Sequence, residues 1–251
     1  MSDTVLYEIR DQVAYVTLNR PGALNAQNLE LRQRLNEVIL DLNGNPDVLV
    51  GIVTGAGDRA FSTGMDLKER AKRNDDGDMG LPPQPLEITK PIIAAIRGYC
   101  VAAGLELALR CDIRVATPDS QFGLPEPRWS LLAGYGLHNL NRMVPLGEAL
   151  YMQLTGERIG AQRAYEIGLI QRIAPAAQLM DEARKIADSI LLCAPLAVQA
   201  IKGIVMTGKN LPIEYSWKYA EPIQDRLVRT EDAIEGPRAF AEKRRPVWKS
   251  R

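Results

Sequence analysis

Histidine is almost missing from this 251-residue chain, His138 being the only one. That excludes a multi-histidine metal centre and any catalytic arrangement needing two imidazoles, so no metal is expected. Cysteine is scarce too. Cys100, Cys111 and Cys193 show no paired metal spacing, and an odd number fits a reducing compartment. Net charge is absent, with 31 Lys and Arg against 31 Asp and Glu, so neither nucleic acid nor a membrane surface is expected as a partner. No apolar run reaches the roughly 18 residues that a membrane span needs. The opening MSDTVLYEIRDQ has neither the basic region nor the apolar stretch of a secretion signal, which predicts a cytoplasmic protein. What remains, 46% apolar and 25% charged residues, is an ordinary globular profile, long enough for one large domain or for one domain plus a small appendage.

Periodicity then divides the chain. Tyr7 to Arg10 and Val13 to Leu18 alternate around Asp11-Gln12 and predict a β-hairpin. Asn28 is a suitable N-cap for a helix whose apolar stripe is Leu29, Leu31, Leu35, Val38, Ile39 and Leu42. Val48 to Thr54 is nearly all apolar, as a strand buried on both faces must be. A loop from Ala60 runs into a helix over Asp66 to Lys72, and the polar, Gly- and Pro-rich stretch from Asn74 to Pro85 predicts a long loop. Helices are expected over 147–155 and 161–167, a strand over 169–173, and helix from Gln178 onward with breaks near Pro195, Gly208 to Pro212 and Gly236-Pro237. Alternating strands and helices indicate an α/β fold, with a boundary near Pro175 between a core (1–175) and a helical C-terminal segment (176–251). Tyr15, Trp217 and Trp248 are expected in the core rather than around a ligand.

The stretch RGYCVAAGLELALRCDIRVATPDSQFGLPE, from Arg97 to Glu126, organises the rest. A strand over Pro91 to Ile96 leads through small residues into an apolar helix. Glu106 stands in its first turn among alanines and leucines, where an unpaired carboxylate is costly to bury. Glu126 follows after a second strand and a second turn. Residues 62–66 form another small-residue junction before a helix. Each junction leaves backbone N–H groups without intrahelical partners, able to face an oxygen, and a facing pair would make a clamp.

These segments resemble the crotonase superfamily, the enoyl-CoA hydratase/isomerase family. The resemblance lies in NRPGALNA (19–26), AFSTGMDLKE (60–69), KPIIAAIRGYCVAAGLELALRCDIRVATPDSQFGLPE (90–126), TGERIGAQRAYEIGLIQRI (155–173) and AFAEKRRPVW (239–248), in family order. It implies a right-handed spiral of ββα units, a C-terminal helical trimerisation segment, and a homotrimer or a hexamer made of two trimers. The implied substrate is an acyl-CoA thioester, coenzyme A being part of the substrate and no separate cofactor being needed. The backbone N–H groups of Met65 and Ala103 would hold an enolate oxygen, Ala103 standing where glycine is usual. Glu106 would activate water and Glu126 protonate C2, while Gly134 N–H would hold the water. Ala23, Leu24, Thr63, Gly64, Asp66, Leu67, Lys68 and Lys243 would bind the coenzyme, Lys243 from a neighbouring subunit.

Beyond Glu126 the chain departs from the family pattern, with Ala133-Gly134-Tyr135-Gly136-Leu137-His138 in place of a Pro-Gly-x-Gly-Gly run. Gly22 likewise replaces a frequent basic residue. Trp129 and Tyr135 are expected to line the acyl pocket, implying a branched, cyclic or aromatic acyl group. His138 is expected to pack or cap rather than catalyse. Two carboxylates favour hydration of a trans-2-enoyl-CoA to a 3-hydroxyacyl-CoA. Isomerisation, carnitinyl-CoA-type dehydration and thioester hydrolysis are the alternatives on this scaffold, and a non-catalytic RNA-binding relative is disfavoured by the neutral charge.

Overall fold

The structure is a computed structural model, and it describes residues 4–72 and 88–251. The expected loop over 74–85 lies outside those residues. The predicted hairpin is β1 (Val5–Arg10) paired antiparallel with β2 (Val13–Leu18). Its turn residues Asp11 and Gln12 both have positive φ, the conformation that matches a two-residue turn to strand twist. Helix α1 (Leu29–Gly44) starts at Asn28, whose Oδ1 accepts the Leu31 N–H at 3.0 Å. Of the predicted stripe it buries Leu31, Leu35, Val38, Ile39 and Leu42, while Leu29 in the first turn is only partly buried.

The chain then lays down strands in pairs: β3 (Val50–Gly55) and β4 (Ala60–Ser62), then β5 (Ile92–Ile96) and β6 (Tyr99–Val101), then β7 (Ile113–Ala116) and β8 (Gln121–Gly123). The first member of each pair joins a six-stranded sheet ordered β1-β2-β3-β5-β7-β10. The second joins a four-stranded sheet ordered β4-β6-β8-β9, where β9 is Arg158–Gly160 and β10 is Arg172–Ile173. Neighbours within the β2–β3–β5–β7–β10 and β4–β6–β8 runs are parallel. Helices α2 (Leu67–Lys72) and α3 (Ala103–Arg110) follow β4 and β6, so the backbone advances as ββα units. That is the expected spiral.

Val50, Ile52 and Val53 are fully buried, as the apolar run predicted. One face of the large sheet packs with α1, α3 and the small sheet. The other receives α7 (Leu179–Leu191) through Leu179, Ala183 and Ala187, against Val13, Ile52, Ile93 and Val115. Between lie α4 (Tyr135–Asn139), α5 (Leu146–Thr155) and α6 (Ala161–Glu166); α8 (Pro195–Gly208), α9 (Ile213–Leu227) and α10 (Glu231–Ala241) close the chain.

Four expectations change. The loop expected from Ala60 begins instead as strand β4, Ala60–Ser62, paired with β6. The strand over 169–173 contracts to Arg172–Ile173, because Leu169 and Ile170 end a turn by donating to Ala164 O. Helix α10 runs through Gly236-Pro237; Trp248 packs where a Cβ on Gly236 would project, at 3.5 Å, and tertiary contact offsets the proline's missing donor. Trp217 is not core. It is 64% exposed on α9, and Trp248 is half-buried with its indole N–H on Leu192 O.

Candidate active site

The first junction follows β4. Gly64 has φ +88°, and a Cβ there would stand 2.5 Å from the Ala102 Cβ and 3.0 Å from the Ala103 nitrogen. The second junction is as tight. Ala102 holds φ 52° and ψ −133° to start α3, a region costly for alanine, and a Cβ on Gly104 would lie 2.3 Å from Ser62 O. The two loop–helix joints therefore touch, and only residues without bulk fit between them.

Gln27, buried and distant in sequence from α3, ties the joints together. Its Nε2 donates to Ala103 O (3.2 Å) and Ser62 Oγ (3.3 Å), its N–H donates to Gly64 O, and its carbonyl accepts from Asp66 N–H. Asn25, also buried, supports the same loop by donating to Ala56 O and Ala60 O and accepting from Arg20 N–H. Among the described residues, neither Met65 N–H nor Ala103 N–H donates to an acceptor. Both residues line one cavity of about 280 Å³. Two unengaged amides at neighbouring helix starts can stabilise charge that develops on an oxygen.

Both glutamates line that cavity, in contrasting surroundings. Glu106 Oε1 accepts the Gly136 N–H of α4 at 2.8 Å. Glu126 opens a 3-10 turn, Glu126–Trp129, behind Pro125; it is 9% exposed and its Oε2 is buried without a partner among the described residues. Burial first, and the nearby Glu106 charge second, push its carboxyl up to about 7. One carboxylate is thus hydrogen-bonded while the other tends to hold a proton at neutral pH, the division that acid–base catalysis requires. Cys111 shares the cavity, but burial pushes its thiol up to about 12 and its Sγ faces Leu107 O, so it is a poor nucleophile.

Residues 8–251 match the family model described as enoyl-CoA hydratase/isomerase. The chain belongs to the enoyl-CoA hydratase/isomerase family. It is 40% identical to an (E)-benzylidenesuccinyl-CoA hydratase of Thauera aromatica over 254 residues, covering 98% of each chain. It is 36% identical to the carnitinyl-CoA dehydratase of Escherichia coli (strain K12) over 262 residues, covering both completely. Among solved structures, an enoyl-CoA hydratase from Mycobacterium tuberculosis H37Rv superposes with TM-score 0.92 at 38% identity, with both chains fully covered.

For an enoyl-CoA hydratase/isomerase family site, the residues expected from sequence divide as follows. Met65, Ala103, Glu106, Glu126, Gly134, Thr63, Leu67, Trp129 and Tyr135 come together around the cavity. Gly134 stands against Glu106, a Cβ there being 3.5 Å from Oε1, but the N–H that meets the carboxylate belongs to Gly136. Gly64 lies behind the wall. Leu24 supports it, accepting Thr63 N–H and Thr63 Oγ1–H at its carbonyl. Asp66 faces Arg20 at 3.0 Å and caps α2 through Glu69 N–H; partial burial opposes its ionisation, but the Arg20 bond and the helix N–H groups outweigh this and hold it low. Lys68 and Lys243 are exposed, and they and the partly buried Ala23 lie outside the cavity. Gln27, Gly136 and Arg110 were missed. Asn25 lies within the NRPGALNA stretch and Gln27 directly follows it, the one local signal that pointed at them.

Proposed function

We propose that this enzyme hydrates a trans-2-enoyl-CoA to the 3-hydroxyacyl-CoA by syn addition, and dehydrates it in reverse. The thioester oxygen accepts from Met65 N–H and Ala103 N–H. Glu106, oriented by Gly136, takes a proton from water as its oxygen bonds to C3. The electrons of the C2=C3 bond move toward the thioester oxygen, which the two amides stabilise; Glu126 then protonates C2 as the carbonyl re-forms. One proton leaves the water and one reaches C2, so the pair ends with the single proton it began with. The observation carrying this reading is the unequal pair: Glu106 hydrogen-bonded, Glu126 desolvated, in the cavity that both unengaged amides line.

Trp129 and Tyr135, with Leu131 and Leu132, support an acyl group bulkier than a short straight chain. Benzylidenesuccinyl, the group in one relative's name, is of that aromatic kind. Coenzyme A would run past Thr63 to Leu67 toward Lys68. The exposed Ile213, Val228, Ile234 and Phe240 on or beside α9 and α10 support a trimer interface that brings a neighbour's Lys243 to the site, and pairing of trimers into a hexamer.

The test is a panel of straight, branched and aromatic 2-enoyl-CoAs with the purified protein, following loss of the conjugated thioester absorbance. Release of free thiol without hydration, or a double-bond shift alone, would replace this reading with hydrolysis or isomerisation.

A further inference from the structure

Arg110 ends α3 one turn beyond Glu106, lines the same cavity and is half-buried. Its guanidinium lies over the Tyr135 ring, 4.3 Å from the centroid, which occupies one face and leaves the N–H edge uncommitted. Among the described residues no carboxylate pairs with it, and no side-chain hydrogen bond engages it. The nearest acid on its helix face, Glu106, is already held by Gly136 N–H. A partly desolvated cation without an anion is costly, and a planar fork of donors matches a carboxylate in two-point contact. Burial also draws Arg110 below its ordinary value, as expected of a cation short of a partner.

We propose that the acyl group of the substrate carries a second carboxylate, held by Arg110 within a few bonds of C3. Residues four apart on a helix stand about 5–6 Å from one another, so an anion meeting Arg110 while Glu106 serves C3 belongs on the acyl chain just past the reacting carbon. Tyr135 fixes the guanidinium plane for that contact. The proposal rests on the hydratase reading for its register, with Glu106 at C3.

The experiment compares glutaconyl-CoA with its methyl ester at the distal carboxyl, in the full-length enzyme and in Arg110→Gln and Arg110→Lys. Hydration is read as kcat/KM. Binding of saturated glutaryl-CoA and its methyl ester is read separately by titration calorimetry. The expected result is a preference of roughly ten-fold or more for the free carboxylate, in KM and in affinity. Arg110→Gln should collapse that preference and Arg110→Lys restore part of it. Any common loss on acid and ester reports support of Glu106 and cancels in the ratio. Turnover of both substrates without preference, or a preference unmoved by Arg110→Gln, overturns the proposal and leaves the hydratase reading standing. An Arg110-dependent binding preference with no hydration of either overturns the hydratase reading alone. Neither hydration nor preference overturns both.

Discussion

The Gly136 N–H donates to Oε1 of Glu106 at 2.8 Å, joining α4 to the first turn of α3 across thirty residues of sequence. Among the described residues no comparable donor reaches Oε2 of Glu126. Two carboxylic acids of similar intrinsic strength thus meet different surroundings, and burial is what pushes the Glu126 carboxyl up.

Glu106→Gln and Glu126→Gln should each lower kcat for hydration by about 10²–10⁴-fold while leaving acyl-CoA affinity close to that of the parent, because both groups act on protons moving in the transition state. Steady-state kinetics with binding titration of a saturated acyl-CoA checks this. Near-normal turnover in either variant would remove that residue from the chemistry.

Activity should fall as pH rises through about 7, where the pair loses its one proton by way of Glu126. Hydration neither consumes nor releases a proton overall, so kcat/KM for hydration and dehydration must share this limb. Measuring both between pH 6 and pH 9 tests the assignment. A hydration rate flat across neutral pH would rule out Glu126 as the acid.

Stability should respond in the same window. Burial raises the folded-state carboxyl from 4.5 to about 7, so between those values the native state binds more protons than the unfolded chain, and stability falls as pH rises. Glu126→Gln should therefore stabilise the protein at pH 8 by on the order of 3 kcal/mol, and not at pH 4. Thermal or denaturant unfolding at the two pH values reads this directly; an equal effect at both would mean the charge is not the cause.

Gly136→Pro removes the N–H that holds Glu106, in the first turn of α4 where proline is tolerated. An added Cβ meets Leu124 Cδ1 at 2.9 Å, so Gly136→Ala is the control for volume. The expected order of kcat is parent, then alanine, then proline, with alanine much nearer the parent. Equal losses in the two variants would assign the effect to packing.

Gly64→Ala should force the joints apart, since φ +88° and the 2.5 Å approach to Ala102 leave no space for a methyl. Displacing one amide from the developing oxyanion should reduce kcat by about 10²–10³-fold. A crystal structure with the 63–65 and 102–104 backbones unmoved and activity retained would place the oxyanion donors elsewhere.

The sequence by itself determined the alternation of strands and helices, the hairpin, α1 with its Asn28 cap, the two small-residue joints and the two glutamates. Each follows from signals that act over a few residues: period, turn chemistry and the space a Cβ needs. Tertiary structure alone decided that Gln27 would bind Ser62 and Ala103 together, that the Gly136 N–H would donate to Glu106, and that Arg110 would lie on Tyr135. It also carried α10 through Pro237 and left Trp217 in solvent. These outcomes turn on which groups meet after folding, and hence on desolvation and contact between segments distant in sequence, up to 76 residues apart, which no local pattern encodes.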